Sequence, residues 1–237
     1  IYTLSKGISW ITFQNECAAI RIDDQLCKQG KGITLYSSFK QNLKGDKIYT
    51  VFEDSEGDEW ILTNKGISII GKKQVDSDFP FQYIKEADGI IYLVSQSDKL
   101  ASYNFKTRQF KFIEIPYHVS MINEVKKFDS NTLLLATDNG LIIYKIKEKE
   151  FQLIDIRTST QPSNVVQSVY QDHYKELWIF PQTTGVIRYN PSTKEMQHLF
   201  TPADEVIRYE RKNKNVIFED RQHTLWVLPP GRESVLL

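Results

Sequence analysis

Three segments of this chain carry an aspartate six residues before a tryptophan, each inside a similar frame of apolar residues and turn formers: VFEDSEGDEWILTNKGISII, SVYQDHYKELWIFPQTTGVIRY and VIFEDRQHTLWVLPPG. The pairs are Asp54 and Trp60, Asp172 and Trp178, and Asp220 and Trp226. A repeat constrains folding more than composition does, because each copy must be a small supersecondary unit that buries its apolar faces against its neighbours. Weaker copies fill the gaps, with Tyr92 in the tryptophan slot of IKEADGIIYLVSQSDKLASYN, Leu134 in that of VKKFDSNTLLLATDNGLIIYK, and Trp10 in that of KGISWITFQNECAAIRID. The slots 10, 60, 92, 134, 178 and 226 lie 50, 32, 42, 44 and 48 residues apart, a spacing that fits one four-stranded antiparallel unit per copy.

The apolar runs support the same reading. WILT, IIYLV, LLLAT, LWIF and LWVL are continuous and not alternating, as strands are when both faces of their sheet are covered. Helix-type spacing is hard to find. The chain is therefore predicted to be all-β, a β-propeller with four-stranded blades of which about five to six are represented. It is expected as one domain over 1–237, with approximate blades at 1–40, 41–78, 79–116, 117–158, 159–201 and 202–237. Within the second blade, strands are predicted at Ile48 to Glu53, Glu59 to Asn64 and Gly66 to Lys72; Phe110 to Ile115 and Phe151 to Ile156 read as fourth strands. The first blade reads as lacking its innermost strand, with Gly7 to Phe13 as its second, and the last as lacking its outer strand, so the chain is expected to be a fragment of a larger propeller.

In each strong copy the aspartate precedes a tight turn whose backbone amides it can bond, and Gly57 and Gly89 can take a positive φ there. Gly66, Gly140 and Gly185 follow the slot by six or seven residues, where a short hairpin would join the second and third strands. These are folding devices. Cys17 and Cys27 are too few for a disulfide framework or a structural zinc site; if 17–31 is a hairpin turning near Asp24, Cys17 faces about position 31 and not Cys27.

Thirty basic and thirty acidic residues cancel, and no basic stripe offers itself to a phosphate backbone, so nucleic acid is not expected as a partner. No apolar stretch has the length of a membrane span, and the first residues lack the layout of a signal peptide; the fragment is expected to be soluble. Phosphate loops, HExxH, GxSxG and calcium-loop patterns are absent from the sequence, which favours binding over catalysis: no catalytic residue, metal ligand or cofactor is predicted. Of His118, His173, His198 and His223, two read as turn residues at corresponding places of their blades. A carboxylate pair for glycoside hydrolysis, set by distance in space, keeps a five-bladed glycosidase open as an alternative, and a purely structural or dimerising blade array is a third reading.

Propellers bind small ligands where inter-blade segments and the turns joining second to third strands converge, away from the Asp turns. The predicted ligand contacts on that face are Tyr83, Tyr117, His118, Arg208, Tyr209 and Arg211 from inter-blade segments, and Asn64 and Asp138 from hairpin turns; Tyr36, Phe39, Phe81, Gln96 and Gln182 share it. Aromatic faces there would stack on a ligand while amide, carboxylate and guanidinium groups bond its polar atoms.

The order of Asp, small turn, Trp, apolar, Thr or equivalent, Gly, apolar and aromatic resembles the regulator-propeller repeat of hybrid two-component systems of the Bacteroides type. EDSEGDEWILTNKGIS carries the resemblance best, with DHYKELWIFPQTTGVIRYNPSTKEMQHL and EDRQHTLWVLPPG behind it. The resemblance implies a periplasmic sensor region of a membrane-anchored parent at the inner membrane, oligosaccharide or another small molecule as ligand, a homodimeric parent carrying a histidine kinase, and control of transcription.

Overall fold

The computed structural model describes residues 1–13, 18–37, 43, 45–70, 80–87, 89–95, 97–104, 107, 109–159, 161–182, 185–199, 216–228 and 235–236. The chain divides into two compact units, Ile1–Glu114 and Ile115–Leu237. The first unit holds three antiparallel sheets. They consist of β1 (Tyr2–Thr3), β2 (Ile8–Thr12), β3 (Ala18–Asp23) and β4 (Ile33–Ser37); β5 (Ile48–Glu53), β6 (Glu59–Thr63) and β7 (Gly66–Ile69); and β8 (Phe81–Ala87), β9 (Ile90–Ser95), β10 (Leu100–Asn104) and β11 (Gln109–Ile113). The second unit holds three more: β12 (Ile122–Asp129), β13 (Thr132–Thr137), β14 (Gly140–Lys145) and β15 (Glu150–Ile154); β16 (Val166–Gln171), β17 (Leu177–Pro181), β18 (Val186–Tyr189) and β19 (Met196–Leu199); and β20 (Val216–Glu219), β21 (Leu225–Leu228) and β22 (Val235–Leu236). In every sheet, strands adjacent in sequence are adjacent in space.

All six slot residues, Trp10, Trp60, Tyr92, Leu134, Trp178 and Trp226, fall on the second strand of their sheet. Continuous apolar runs occur there because both faces are covered. On β6, Trp60 and Leu62 pack with Phe81, Ile84, Ile91 and Leu93 of the third sheet, while Ile61 packs with Trp10 and Ala19 of the first. On β17, Leu177 and Ile179 pack with Leu134, Ala136 and Leu141 of the fourth sheet, while Trp178 and Phe180 pack with Leu225 of the sixth. Fully burying one such side chain contributes about 1.5–3 kcal/mol, and the period-2 geometry of a strand lets four consecutive residues all count.

The repeat extends to features without a residue signature. The first strands β5, β8, β12 and β16 each slip register near their start, between Ile48 and Thr50, Phe81 and Tyr83, Ile122 and Glu124, and Val166 and Ser168. Each slip is a bulge that twists its strand where the sheet begins. Between second and third strands, Thr63 Oγ1 donates to the Gly66 carbonyl (3.0 Å) and Thr137 Oγ1 to the Gly140 carbonyl (2.7 Å). Gly140 has φ 101°, and a Cβ there would stand 2.6 Å from the Ile154 carbonyl oxygen, so this hairpin admits no side chain.

Two expectations change. The first sheet does possess a first strand, since Tyr2 and Thr3 pair with Trp10 and Ser9; a two-residue strand carries no periodic signal. The segment after β3 does not fold as a hairpin turning at Asp24. A short helix spans Asp24–Cys27, capped by Asp23, whose side chain accepts from the amides of Gln25 and Leu26, and the pairing runs from Ala18 with Ser37 to Ile22 with Ile33. Cys27 is free and exposed; Cys17 lies outside the described residues.

Candidate functional site

The two ends of the sheets carry different chemistry, beginning with the turns between first and second strands. Asp54 Oδ1 accepts from the amides of Glu56 (3.0 Å) and Asp58 (2.8 Å), and its Oδ2 accepts from Trp60 Nε1 (2.8 Å). Asp172 does the same for Glu176 (2.9 Å) and Trp178 (2.9 Å), and Asp220 for Gln222 (2.9 Å), Thr224 (2.9 Å) and Trp226 (2.8 Å). The six-residue spacing thus satisfies a turn and a buried indole with one carboxylate. The fourth turn residue is left-handed each time: Gly57 at φ 84°, Lys175 at 68° and His223 at 65°. The first sheet keeps the backbone of this turn, with Leu4 N–H donating to the Ile8 carbonyl (2.8 Å), but Leu4 offers no acceptor. There Trp10 Nε1 donates to Glu59 Oε2 of the next sheet (2.6 Å), and Glu59 also pairs with Arg21 (2.8 Å).

The residue after the aspartate slot joins one sheet to the next. Ser5 binds Glu53 through its amide (2.6 Å) and hydroxyl (2.5 Å). Ser55 binds Glu86 through its amide (2.7 Å) and hydroxyl. His173 binds Glu219 through its amide (3.1 Å) and Nδ1. In each case the glutamate lies at or one residue before the end of the first strand of the following sheet. Gln171 holds that place in the fifth sheet, and its Nε2 is buried without a partner.

The join at Glu219 gathers more chemistry than the other two. His223 Nδ1 also approaches Glu219 Oε1 (3.1 Å), and the rings of His173 and His223 stack with centroids 3.5 Å apart. Burial pushes the Glu219 carboxyl upward, but the bonds from His173 and His223 outweigh it and hold the group below its ordinary range. The two histidines are not at corresponding positions: His173 follows its aspartate directly, and His223 stands three residues after its own. That offset is what lets side chains from neighbouring turns meet.

A cavity of about 750 Å³ opens at the same end of the first unit. It lies between Glu56 of the second sheet and Gly89, Tyr103, Asn104, Gln109 and Phe110 of the third, within the size range of small-molecule sites.

At the opposite end stand the predicted ligand contacts. Asn64 Oδ1 accepts from the amides of Asp46 (2.8 Å) and Lys47 (3.1 Å), and Asp138 accepts from the amide of Ser120 (3.1 Å). Both thus hold the chain that enters the first strand of their own sheet. Tyr117 Oη donates to the Phe151 carbonyl (3.0 Å), His118 is exposed, and Tyr83 is half-buried on β8. Asn64 and Tyr83 belong to the first unit and Tyr117, His118 and Asp138 to the second. In the second unit the His118 backbone carbonyl ends a polar chain that sequence reading missed. Asn139 Nδ2 donates to the His118 carbonyl (3.0 Å), Asn164 Nδ2 to Asn139 Oδ1 (3.1 Å), and Ile156 N–H to Asn164 Oδ1 (2.9 Å). The Asn-Gly pair after the LLLAT run signals Asn139; nothing in sequence signals Asn164. Arg208, Tyr209 and Arg211, with Phe39 and Gln96, lie outside the described residues.

No family model matches the chain. Among solved structures, the WD40 beta propeller domain of Doa1 is similar over 91% of this chain and 70% of that one, with a TM-score of 0.56 and 8% identity. The fold is a β-propeller. Virginiamycin B lyase from Staphylococcus aureus shares it over 96% of this chain and 76% of that one, at TM-score 0.69 and 17% identity. The extracellular domain described as that of a hybrid two component system, BT3049 from B. thetaiotaomicron, covers 100% of this propeller chain at TM-score 0.65 and 14% identity, while the chain covers 33% of it. Histidine kinase P4 from Formosa agariphila is 22% identical over 170 residues, 71% of this chain and 10% of that protein. The chain thus spans a small part of the kinase it matches. Among the described residues no helix is long and apolar enough to cross a membrane.

Proposed function

We propose that this propeller chain is part of the extracytoplasmic, ligand-sensing region of a hybrid two-component histidine kinase, and that its ligand is an oligosaccharide. The observation that carries the reading is the match along the whole chain to an extracellular domain of that class, joined by a likeness to a histidine kinase over 170 residues. The parent would be anchored in the inner membrane as a homodimer, with the propeller in the periplasm. Binding would shift the population of blade or domain arrangements that the kinase reads and so change transcription. The aromatic and amide lining of the cavity beside Tyr103 and Asn104 suits a sugar.

Catalysis has one observation in its favour, the likeness to a lyase. Among the described residues the buried carboxylates Asp54, Glu59 and Asp172, however, are all engaged: two bond their own turns and tryptophans, and Glu59 bonds Trp10 and Arg21. None is free to act as half of an acid pair.

The test is a thermal-shift screen of the longest soluble ectodomain containing this segment against plant and host oligosaccharides. A saturable shift with one glycan class is expected, amounting to about 2.7 kcal/mol at a hundred times Kd; its loss on changing Asn104 and Gln109 to alanine would put the site in that cavity, and its loss on changing Arg208 and Tyr209 instead would put it on the opposite, inter-blade face. Absence of a shift with every sugar would overturn the oligosaccharide assignment, and release of a cleaved product would replace sensing with catalysis.

A further inference from the structure

We propose that His173, Glu219 and His223 form a binding site for a borderline divalent transition-metal ion such as Zn²⁺, an ion that ties the fifth blade to the sixth. One ligand atom from each residue lies within 4.8 Å of the others. The residues come from the Asp turns of two successive blades and the end of the strand between them, 46 residues apart in sequence for His173 and Glu219. In a tetrahedral zinc site with metal to ligand distances of about 2.0–2.1 Å, donor atoms stand roughly 3.3 Å apart. The donor atoms already lie close to that spacing.

The donor set selects the ion. Two imidazoles and one carboxylate suit Zn²⁺, Cu²⁺ or Ni²⁺, whereas Ca²⁺ and Mg²⁺ require oxygen ligands throughout. The carboxylate is already oriented: its second oxygen accepts from the His173 amide (3.1 Å), and this bond survives when the imidazoles turn from the carboxylate to the metal. Such support of a ligand by its neighbour tunes affinity in established sites. The histidine side chains remain partly open to solvent, 29% and 52% exposed, so the ion can enter and a water can complete its coordination.

The two other joins set the contrast. Ser5 with Glu53 and Ser55 with Glu86 present one hydroxyl and one carboxylate each, a pair that makes a hydrogen bond and has no nitrogen donor to offer. Only a histidine directly after one aspartate, met by a histidine three residues after the next, converts the same joint into a site with two nitrogens and an oxygen.

The experiment is competition for Zn²⁺ between the 237-residue chain and a chromophoric chelator, in a Cys17→Ser, Cys27→Ser background that removes thiol ligands. Uptake of one ion per chain is expected, weakened roughly tenfold or more in His173→Gln and in His223→Asn, with Ca²⁺ and Mg²⁺ failing to displace it. His223→Asn suits the left-handed position, and the thermal melts of both variants without metal establish that they fold. On the unaltered background, Ni²⁺ should broaden the ring proton signals of His173 and His223 and spare those of His118 and His198. Zinc uptake unchanged in both variants, no uptake at all, or broadening confined to the other two histidines would overturn the proposal.

Discussion

Trp10 and Trp178 occupy the same place on the second strand of their blades, and each buries an indole N–H that must find an acceptor. Trp178 takes one from its own turn, Asp172, six residues earlier. Trp10 takes one from the next blade, Glu59, 49 residues later. The first arrangement makes a blade self-sufficient. The second makes one blade's interior depend on its neighbour's, and brings in Arg21 to balance the buried charge. The repeat therefore keeps the location of the aromatic anchor while changing the chemistry that serves it.

The comparison breaks most directly at Glu59. Glu59→Leu should destabilise the chain by about 3–5 kcal/mol, because it leaves the buried Trp10 indole without its acceptor and the Arg21 guanidinium with only its long contact to Asp23 (3.4 Å); a urea midpoint that moves by less than a quarter of this would mean that the cross-blade acceptor is dispensable. Asp172→Ala should cost roughly 2–3 kcal/mol, the loss of charge-assisted bonds to a buried donor and a turn amide. Its signature in amide exchange should stay within the fifth blade. The contrast sharpens if an acceptor is moved: in a Glu59→Leu background, Leu4→Asp should restore about 1 kcal/mol, and no recovery would show that the first turn cannot aim a carboxylate at Trp10.

A smaller effect concerns the turn itself. Lys175 sits at φ 68° where Gly57 sits at 84°, so Lys175→Gly should stabilise by about 0.5–1 kcal/mol by relieving a left-handed side chain, measured as a rise in denaturation midpoint. The smallest is a pH effect. The bonds from Ser5 hold the Glu53 carboxyl below its ordinary 4.5, so their contribution is complete above that value and fades as pH falls through the depressed folded one. The stability gap between the chain and Ser5→Ala should accordingly narrow from pH 7 to pH 3; a constant gap would mean that Ser5 acts by packing.

Much of the fold was legible because it rests on local patterns. The six slots land on second strands even where Tyr92 or Leu134 stands in for tryptophan, since spacing and continuous apolar runs report a two-sided sheet. The turn amides of Asp54, Asp172 and Asp220 follow from an aspartate before a short turn. What stayed hidden acts between sheets: Glu59 serving Trp10, and Glu53, Glu86 and Glu219 receiving the turn before them. A trace existed in the glutamate preceding Asp54 and Asp220. Of the predicted ligand contacts, Asn64 and Asp138 were recognisable as hairpin residues, but that their oxygens hold incoming backbone depends on where the inter-blade segment passes. His173 and His223 were read as equivalent because both sit in turns, and it is their non-equivalence that brings them together.

The reach from Trp10 to Glu59 also has a consequence for synthesis. At about 5–20 residues per second, the acceptor for Trp10 is made several seconds after the indole it serves, whereas Asp172 precedes Trp178 out of the ribosome. The blade of Trp10 must wait, its tryptophan without an acceptor from its own turn, until the next blade's first hairpin emerges to complete it.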